Sequence, residues 1–305
     1  MTDQMIDGTL KGLYIFGENP AVSDPNMGHS VKAFKSLDFL VVQDLFLTET
    51  AKLADVVLPG ASFAEKDGTF TCSERRVQRI RKAINPPGEA KSDLEIIDQI
   101  FKRVIGDTGL EKSPDPSTVF DEVASLWSHL AGMDYERIAD GGLQWPCPDK
   151  DHPGTEFLYK GKFSTESGKA IFWEVPYVKS DELPDEKYPF ILTTGRELFH
   201  YHTGTMTRRS PGLNAIAPEA FVEVNPTDAN KLGVMNGEKI VVCSRRGEIS
   251  LKARVSLIVP PGVVFIPFHY TEAAANLLTN NAMDPVCKIM EAKVCAVQLT
   301  RISKE

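Results

Sequence analysis

The sequence lacks the long apolar runs that mark membrane proteins and secretion signals. No stretch approaches the roughly 18 consecutive apolar residues that a membrane-spanning helix needs, although 42% of the residues are hydrophobic. The N-terminal stretch MTDQMIDGTL has neither a basic flank nor an apolar run, so we expect no signal peptide. These absences predict a cytoplasmic protein that does not insert into a membrane.

An excess of positive charge is absent as well. The chain has 34 Lys and Arg against 42 Asp and Glu, which gives a formal net charge of −8. A protein that binds nucleic acid over a whole face needs basic residues to neutralise the phosphates. The charge balance therefore argues against nucleic acid as a partner and predicts that any anion site is local.

Cysteines are few, and none are paired at the spacing of a metal site. The chain has five of them and no CxxC motif, which argues against disulfides, a zinc site or an iron–sulfur cluster in this chain. We expect reduced thiols that serve as packing residues, at positions Cys72, Cys147, Cys243, Cys287 and Cys295.

The common nucleotide-binding and hydrolase motifs are missing too. No GxGxxG follows the first predicted strand, and SGKA at 167–170 does not end a P-loop. Phe163 stands in place of the first P-loop glycine, and Ala170 in place of the Ser or Thr that binds the metal ion. Neither GxSxG nor HExxH occurs. We therefore expect no nicotinamide or ATP site.

The first half of the chain alternates short strands and helices. GLYIFG (12–17) and FLVV (39–42) are apolar runs that end in polar loops, and residues 29–37 between them form a predicted helix. This order is typical of a parallel α/β unit, whose strand ends carry the loops that meet ligands.

The clearest helix signal is SDLEIIDQIFKRVIG. Ser92 and Glu95 form a capping box at its start, and Gly106 stands where a C-terminal cap belongs. Its apolar stripe comprises Leu94, Ile97, Phe101 and Val104. The following segment, 107–117, is rich in turn residues and predicts a surface loop.

The pattern changes to strands after the charged, proline-containing segment 181–189. A short helix is predicted from Asn225, its N-cap, to Gly233. EISLKARV alternates apolar and polar residues with the two-residue period of a half-buried strand. With EKIVVCS, PGVVFIPF and KVCAVQL it predicts a small closed barrel. The fold class is thus α/β, with predicted domains at residues 1–185 and 186–305.

The most informative stretch is TTGRELFHYHTGTMTRRS, residues 193–210, called the basic loop below. Guanidinium groups, hydroxyls and backbone amides freed by glycine are the groups that bind a pyrophosphate. From composition alone, a solvated basic loop without a ligand is an equally good interpretation. The candidate side chains are Arg196, Arg208, Arg209, His200, His202, Thr194, Thr203, Thr205 and Thr207, with Gly195 and Gly204 between them.

A second candidate site lies in VVQDLFLTET, residues 41–50. Gln43 and Asp44 stand at the end of a predicted strand, where a carboxylate can accept two hydrogen bonds from a guanine edge. Thr48 follows in the loop, where it can meet ribose or base. Asp44 can equally be a helix cap, and Asp93 can be favoured by the helix dipole alone.

Four segments resemble, in the same order, the C-terminal part of molybdopterin oxidoreductases. They are GENPAVSDP, FLVVQDLFLTETAKLADVVLPGASFAEKDGTFTCSERRVQRI, TTGRELFHYHTGTMTRRS and VNPTDANKLGVMNGEKIVVCSRRGEI. Within that superfamily, HYHTGTMTRRS most resembles the catalytic alpha subunits of formate dehydrogenases, and nitrate reductases are the nearest neighbours.

The resemblance implies a bis-molybdopterin guanine dinucleotide cofactor with molybdenum or tungsten. It would lie between a Rossmann-like α/β domain and a double-psi β-barrel. Contacts to one dinucleotide from the α/β side are implied for Asn19, Gln43, Asp44, Thr48, Lys66 and Asp93. Contacts along the pterin and phosphate arms are implied for Thr194, Gly195, Arg196, Glu197, His200, His202, Thr203, Gly204 and Thr205. Contacts from the late barrel are implied for Phe268, Asn276 and Lys293.

The chain departs from the family pattern in two places. Before the last strand, the family commonly has Pro-Glu-Tyr-Lys, whereas this chain has Met290, Glu291, Ala292 and Lys293 and so loses the tyrosine contact. The family's [4Fe–4S] motif, its metal-ligating Cys or selenocysteine and its formate-binding His and Arg belong upstream of the matching region. We therefore assign no catalytic residue and no metal ligand in this chain.

The function implied by the resemblance is the oxidation of formate to carbon dioxide by an oxidoreductase in which this chain supplies cofactor binding. The implied partners are an N-terminal catalytic half with the [4Fe–4S] cluster and the electron-transfer subunits of a formate dehydrogenase complex. Two alternatives are a fragment of a nitrate reductase and a non-catalytic split or degenerate subunit that binds the cofactor.

Overall fold

The computed structural model describes residues 1–106 and 113–302. These described residues form two compact units: those within Met1–Val57 and Tyr177–Glu305 form the first, and those within Leu58–Pro176 form the second. The family-domain border predicted at residue 185 is a different kind of division and stays a prediction. Of the surface loop predicted at 107–117, residues 107–112 lie outside the described residues.

The N-terminal segment of the first unit is a small parallel α/β structure. Strands β1 and β2 are parallel, with Ile15 opposite Val42, and the sheet order is β1-β2-β3. Ile15, Phe34, Leu40 and Val42 form part of its core, and the predicted strands and intervening helix are confirmed. The elements are α1 (Thr2–Ile6), β1 (Gly12–Phe16), α2 (Pro20–Ser23), α3 (Met27–Lys35), β2 (Phe39–Asp44) and β3 (Val56–Pro59), in which the unit boundary falls.

The second unit combines a small antiparallel sheet with two helices. The sheet order is β4-β5-β6, and the core includes Val77, Phe120, Leu130, Ile138 and Cys147. The elements are β4 (Gly68–Thr71), β5 (Arg76–Ile80), α4 (Asp93–Val104), α5 (Pro116–Leu126) and β6 (Leu143–Gln144).

Helix α4 begins and ends where the sequence predicts. The Glu95 backbone N–H donates to Ser92 Oγ at 3.3 Å, and Glu95 Oε2 accepts from the Ser92 N–H at 2.9 Å. Gly106 beyond its end has a φ of +72°. Three residues of the predicted apolar stripe, Ile97, Phe101 and Val104, face solvent, with Phe101 53% and Val104 78% exposed, whereas Leu94 lines a concavity of the second unit.

The C-terminal segment of the first unit is a closed six-stranded barrel, as predicted. The strand order around it is β10-β8-β11-β7-β12-β9. In β10 the residues Ile249, Leu251 and Ala253 are buried, which confirms the two-residue alternation. The elements are β7 (Phe190–Gly195), α6 (Pro211–Ile216), β8 (Phe221–Val224), α7 (Pro226–Leu232), β9 (Lys239–Cys243), β10 (Glu248–Val255), β11 (Val263–Pro267) and β12 (Cys295–Arg301).

Helix α7 confirms the predicted caps. The Asn225 side chain accepts a hydrogen bond from the Thr227 N–H at 2.9 Å, and Gly233 ends the helix with a φ of +68°. Such a left-handed residue after the last turn is typical of glycine. The cap residues turn the chain from β8 back toward β9 in the barrel wall.

The five cysteines are free thiols, but they do not all serve as packing residues. Cys147 and Cys295 are buried, whereas Cys287 is exposed. The packing prediction is wrong for Cys287 because it lies in a loop between β11 and β12, outside the barrel core.

The described ranges contain no helix that is both long and apolar enough to cross a bilayer.

Candidate functional site

The basic loop leaves the barrel at a point where two parallel strands end side by side. Gly195 at the end of β7 is opposite Pro267 at the end of β11. A Cβ on Gly195 would lie 2.6 Å from Cε2 of Phe265, which is closer than real contacts allow. Glycine at this position therefore lets the backbone leave the strand directly beside the Phe265 ring.

A second glycine brings the loop back toward the end of β11. Gly204 has a φ of +73°, and a Cβ there would lie 3.0 Å from the carbonyl oxygen of His269. Both the backbone angle and the close approach favour glycine. The two glycines thus hold the basic loop against the segment that follows β11.

Two basic side chains, Lys293 and His202, lie beside Phe268, and Arg196 is near enough to act on the charge of both. Lys293 Nζ lies 6.0 Å from the centre of the Phe268 ring and donates to the Thr194 carbonyl oxygen at 2.6 Å. The His202 ring meets Phe268 edge-on, with ring centres 5.9 Å apart. Arg196 is exposed, and its guanidinium lies 4.9 Å from the centre of the Tyr201 ring.

The positive charge of Arg196 raises the free energy of the charged forms of Lys293 and His202. Burial, and then the positive charge of Arg196, lower the pKa of Lys293. The same two causes, burial first, lower the pKa of His202, which the carboxylate of Glu18 partly offsets. A bound anion would relieve this repulsion, because opposite charge favours the charged form. The cluster therefore has the electrostatics of an anion site within a chain of net negative charge.

Other predicted residues of the basic loop are used inside the loop. His200 is 4% exposed, and its Nε2 lies 2.7 Å from the Ala217 carbonyl oxygen while Nδ1 lies 3.2 Å from Thr207 Oγ1. Both ring nitrogens of His200 are therefore engaged within the chain, and the contact implied for His200 stays a prediction. Thr203 is also buried and shares a hydrogen bond of 2.9 Å with Thr205.

The sequence reasoning missed two buried residues that support the loop. The Glu197 backbone N–H donates to Nε2 of His269 at 2.7 Å, and the Tyr270 hydroxyl donates to Glu197 Oε2 at 2.8 Å. Both His269 and Tyr270 have no exposed surface. The signal that could have found them is their place directly after β11, which parallel pairing brings beside the end of β7.

Asn19, predicted to contact the ligand, joins the loops after β1 and β2. Its Nδ2 donates to Glu49 Oε2 at 2.8 Å, and its Oδ1 accepts from the backbone and the hydroxyl of Thr50 at 3.0 and 2.7 Å. Asn276 similarly donates from Nδ2 to the carbonyl oxygens of Val22 and Ser23, at 2.9 Å each. In this structure both asparagines hold chain segments together.

Asp44 lies at the end of β2, as predicted, but it does not cap a helix. Its Oδ1 accepts from the Leu45 N–H at 2.6 Å and from the Phe46 N–H at 3.4 Å and so closes a turn, and the next helical turn is Ala51–Leu53. Burial raises the pKa of Asp44, and its hydrogen bonds and the charge of Arg209 partly oppose that shift. The Arg209 guanidinium lies 4.5 Å from the centre of the Phe46 ring, which places this end of the basic loop near Asp44.

Gln43 and Thr48 flank Asp44 and are fully buried. The Tyr14 hydroxyl donates to Gln43 Oε1, and Thr48 Oγ1 accepts from the Ala51 N–H at 3.2 Å. Both side chains therefore support the shape of the loop that carries Asp44.

In the second unit, Lys66 and Asp93 are brought together. Lys66 Nζ forms an ion pair with Asp93 Oδ2, and both side chains line a concavity of about 370 Å³. Asp93 is the first residue of α4, so the helix dipole also favours its negative charge. Phe120 and Tyr135 belong to the apolar part of the lining.

Two family models match the chain. One, described as molybdopterin oxidoreductase, matches residues 1–103. The other, described as molydopterin dinucleotide binding domain, matches residues 190–296. The basic loop and the barrel lie in the second match, and β1, β2 and α4 lie in the first.

Curated relatives align with nearly the whole chain. The F420-dependent formate dehydrogenase subunit alpha of Methanocaldococcus jannaschii is 54% identical over 98% of this chain and 45% of its own length. Formate dehydrogenase H of Escherichia coli is 35% identical over 98% of this chain and 42% of its own length. The assimilatory nitrate reductase catalytic subunit of Bacillus subtilis is 38% identical over 99% of this chain and 44% of its own length. The chain spans less than half the length of these relatives.

A solved structure shows the same fold. Acetylene hydratase from Pelobacter acetylenicus matches 99% of this chain and 46% of that chain, with a TM-score of 0.75. Its sequence identity of 21% makes it a likeness of fold alone.

Proposed function

Because the chain belongs to the molybdopterin oxidoreductase family, we propose that it binds a bis-molybdopterin guanine dinucleotide for a formate dehydrogenase. In that reaction formate is oxidised to carbon dioxide, with release of one proton and two electrons. The greater identity to formate dehydrogenase alpha subunits, 54% against 38% for a nitrate reductase, favours formate over nitrate. Mo and W both fit the proposal.

The electropositive cluster beside Phe268 is the observation that carries the proposal. Arg196 carries a guanidinium charge, Lys293 is a second basic group whose pKa is lowered by burial and by Arg196, and the exposed His202 adds a hydrogen-bond donor. Hydrogen bonds from such groups to phosphate oxygens are charge-assisted and therefore strong. A pyrophosphate would relieve the repulsion that Arg196 exerts on Lys293 and His202, so the residues fit the phosphate arm of the cofactor.

The guanine end is proposed to lie near Asp44. A carboxylate accepts hydrogen bonds only, and guanine presents two adjacent donors, the N1–H and the exocyclic amine. Arg209 extends the basic loop to the same place. Lys66 and Asp93 in the second unit are proposed to contact a dinucleotide as well, with Asp93 able to meet guanine in the same way as Asp44.

Each remaining predicted residue also has a proposed part. Gly195 and Gly204 shape the loop, Thr203 and Thr205 bond each other through their hydroxyls, Thr194 donates to the Ala292 carbonyl oxygen, and the Glu197 N–H is held by His269. We propose a supporting part, not direct donation, for His200, Gln43, Thr48, Asn19 and Asn276, since their polar atoms are used within the chain. Phe268 provides the surface on which His202 and Lys293 rest.

Finer features of the fold follow from the same proposal. We infer a double-psi topology for the closed barrel, a Rossmann-like character for the α/β part and a domain border between residues 185 and 186. The parallel pairings of β7 with β11 and of β8 with β10 support the first inference.

Other polypeptide is needed for turnover. When bound, the metal and its dithiolene ligands supply the redox chemistry, while this chain binds and orients the cofactor. We propose as partners the polypeptide with the metal ligand and [4Fe–4S] cluster, and electron-transfer subunits such as those of the relatives named as subunits. A cytoplasmic location, with no iron–sulfur cluster in this chain, completes the proposal.

Calorimetric titration of the purified chain with GDP tests the phosphate assignment. Arg196→Ala should weaken GDP binding roughly tenfold or more, because it removes a charged donor to phosphate. Arg103→Ala is the matched control, since Arg103 lies in α4 and donates to the Gln99 carbonyl oxygen at 2.8 Å, so its GDP affinity should equal that of the wild type. Equal affinities in all three proteins would reject the phosphate role of Arg196.

A further inference from the structure

The structure assigns His269, which follows β11, as a positioning residue that holds residues 197–202 in the shape required for anion binding by Arg196 and His202. This inference rests on the proposed function of the basic loop. His269 does not reach the ligand itself in this assignment. It acts through the backbone of the loop.

The His269 side chain bridges two backbone groups of the loop. It has no exposed surface, and its Nε2 accepts the Glu197 backbone N–H at 2.7 Å. On the other side of the ring, Nδ1 donates to the His202 carbonyl oxygen. A single buried ring thus joins the two ends of residues 197–202, a part of the basic loop.

The chemistry of the two partners requires one form of the ring. A backbone N–H can only donate, so Nε2 must be unprotonated, and a carbonyl oxygen can only accept, so Nδ1 must carry the proton. Only the neutral Nδ1–H tautomer satisfies both groups. Burial, the first cause, together with the charges of His200 and Arg196, lowers the pKa of His269, although the His202 bond and Glu197 oppose the shift. The neutral form is thus favoured by the surroundings as well.

The two residues that His269 bridges, Glu197 and His202, determine where Arg196 and His202 lie in the proposed anion site. Glu197 directly follows Arg196 in the chain, and the second bridged group belongs to His202 itself. His202 has a φ of +50°, a left-handed conformation that is costly for a residue other than glycine. Its hydrogen bond to His269 supports that conformation, which aims the His202 ring at Phe268 beside Lys293.

Other groups around His269 do not replace this bridge. The His200 ring is 5.6 Å from the His269 ring, and its own nitrogens are engaged by Ala217 and Thr207. Tyr270 bonds the Glu197 side chain and leaves the Glu197 backbone to His269. Replacing His269 by a ring of similar size without nitrogens would therefore remove both hydrogen bonds to residues 197–202 while the space in the core stays filled.

The first test compares His269→Phe with His269→Gln in the full chain. Phe fills the same space without a hydrogen bond, so GDP binding by calorimetry should fall about tenfold. Gln can place Oε1 near the position of Nε2 and accept the Glu197 N–H, so it should recover part of the affinity. Asn225→Ala, which removes the α7 cap, is the control and should lower Tm while GDP affinity stays within about twofold.

The second test examines the bridge without any ligand. In a ¹⁵N-histidine-labelled chain, His269 should appear as the neutral Nδ1–H tautomer at pH 7. Hydrogen exchange should show a protected Glu197 amide in the wild type and an unprotected one in His269→Phe. An Nε2–H tautomer, an imidazolium or an equally protected amide in both proteins would overturn the assignment, even if the Phe variant proved too unstable for titration.

The outcomes separate this inference from the proposed function. If wild type and His269→Phe bind GDP equally, the positioning role is wrong and the anion site stands. If the wild type does not bind GDP, the proposed anion site is wrong, and the tautomer and exchange measurements alone decide whether His269 holds the loop.

Discussion

At the scale of single residues, burial separates the groups that can meet a ligand from those that support them. Arg196 is exposed, whereas His200, four residues later in the same basic loop, is 4% exposed with both ring nitrogens engaged. Both are residue types that bind phosphate, so composition treats them alike. Exposure leaves Arg196 able to meet a ligand, whereas the hydrogen bonds of His200 make it a support of the loop.

Asp44 offers a test of base recognition at this scale. Asp44→Asn keeps an oxygen that can accept the Leu45 N–H but replaces the other oxygen by a donor, which would face a donor of guanine. We expect the variant to lose the preference for GMP over CMP, because unmatched buried polar groups are strongly penalised.

Competition titrations of GMP against CMP measure this preference. Asp38→Asn is the matched control, since Asp38 is exposed and precedes the other end of β2; it should leave the preference intact. An unchanged preference in Asp44→Asn would return Asp44 to a purely structural role as the residue that closes the turn at Leu45.

At the scale of elements, α4 shows that capping residues and apolar periodicity predict a helix but do not determine which side of it is buried by other elements. Its capping box and its terminal glycine are as expected. In the described residues the buried positions are Ile96 and Asp98, while Phe101 and Val104 are largely exposed. Exposed apolar stripes of this kind are typical of surfaces that another polypeptide covers.

We expect the purified chain to bind a hydrophobic dye such as ANS through this stripe. The double substitution Phe101→Ser and Val104→Ser should lower dye fluorescence and leave Tm nearly unchanged, because substitutions of exposed residues shift stability by about 0.5 kcal/mol or less. Leu257→Ser, at a single residue that is 84% exposed, should lower the fluorescence much less. A chain that stays monomeric at high concentration and binds no dye would contradict the expectation.

At the scale of the whole molecule, the local cations and the match to a molydopterin dinucleotide binding domain support the proposal that the chain holds a cofactor. The chain has a formal net charge of −8, yet Arg196 and Lys293 are close enough for the charge of one to lower the pKa of the other. Within residues 1–106 and 113–302, no three His, Cys, Asp or Glu side chains converge as a metal site would require. The relatives are more than twice as long as the part that matches this chain, and our proposal places the metal ligand in such additional polypeptide.

We predict that the purified 305-residue chain shows no formate-dependent reduction of a dye, even with metal and cofactor supplied. Supplying the remaining part of a close relative should be required for activity, which an assay with benzyl viologen as the acceptor can follow. Formate-dependent turnover by the chain alone would show that the reacting site lies within it.

Local signals in the sequence determined much of the architecture. The two-residue alternation of β10, the capping box of α4 and the caps of α7 each depend on neighbours within a few residues, so a linear pattern is enough to identify them. The basic loop was recognisable for the same reason, because its arginines, threonines and glycines are adjacent in the chain.

Contacts between distant segments were decided only by the tertiary structure. His269 meets Glu197 because β7 and β11 pair in parallel and end together, and no local pattern records that pairing. The engagement of His200 by Ala217 and the exposure of the α4 stripe likewise depend on what packs against each element. Periodicity shows that a helix has an apolar side, but burial is a property of the neighbours that the fold brings to it.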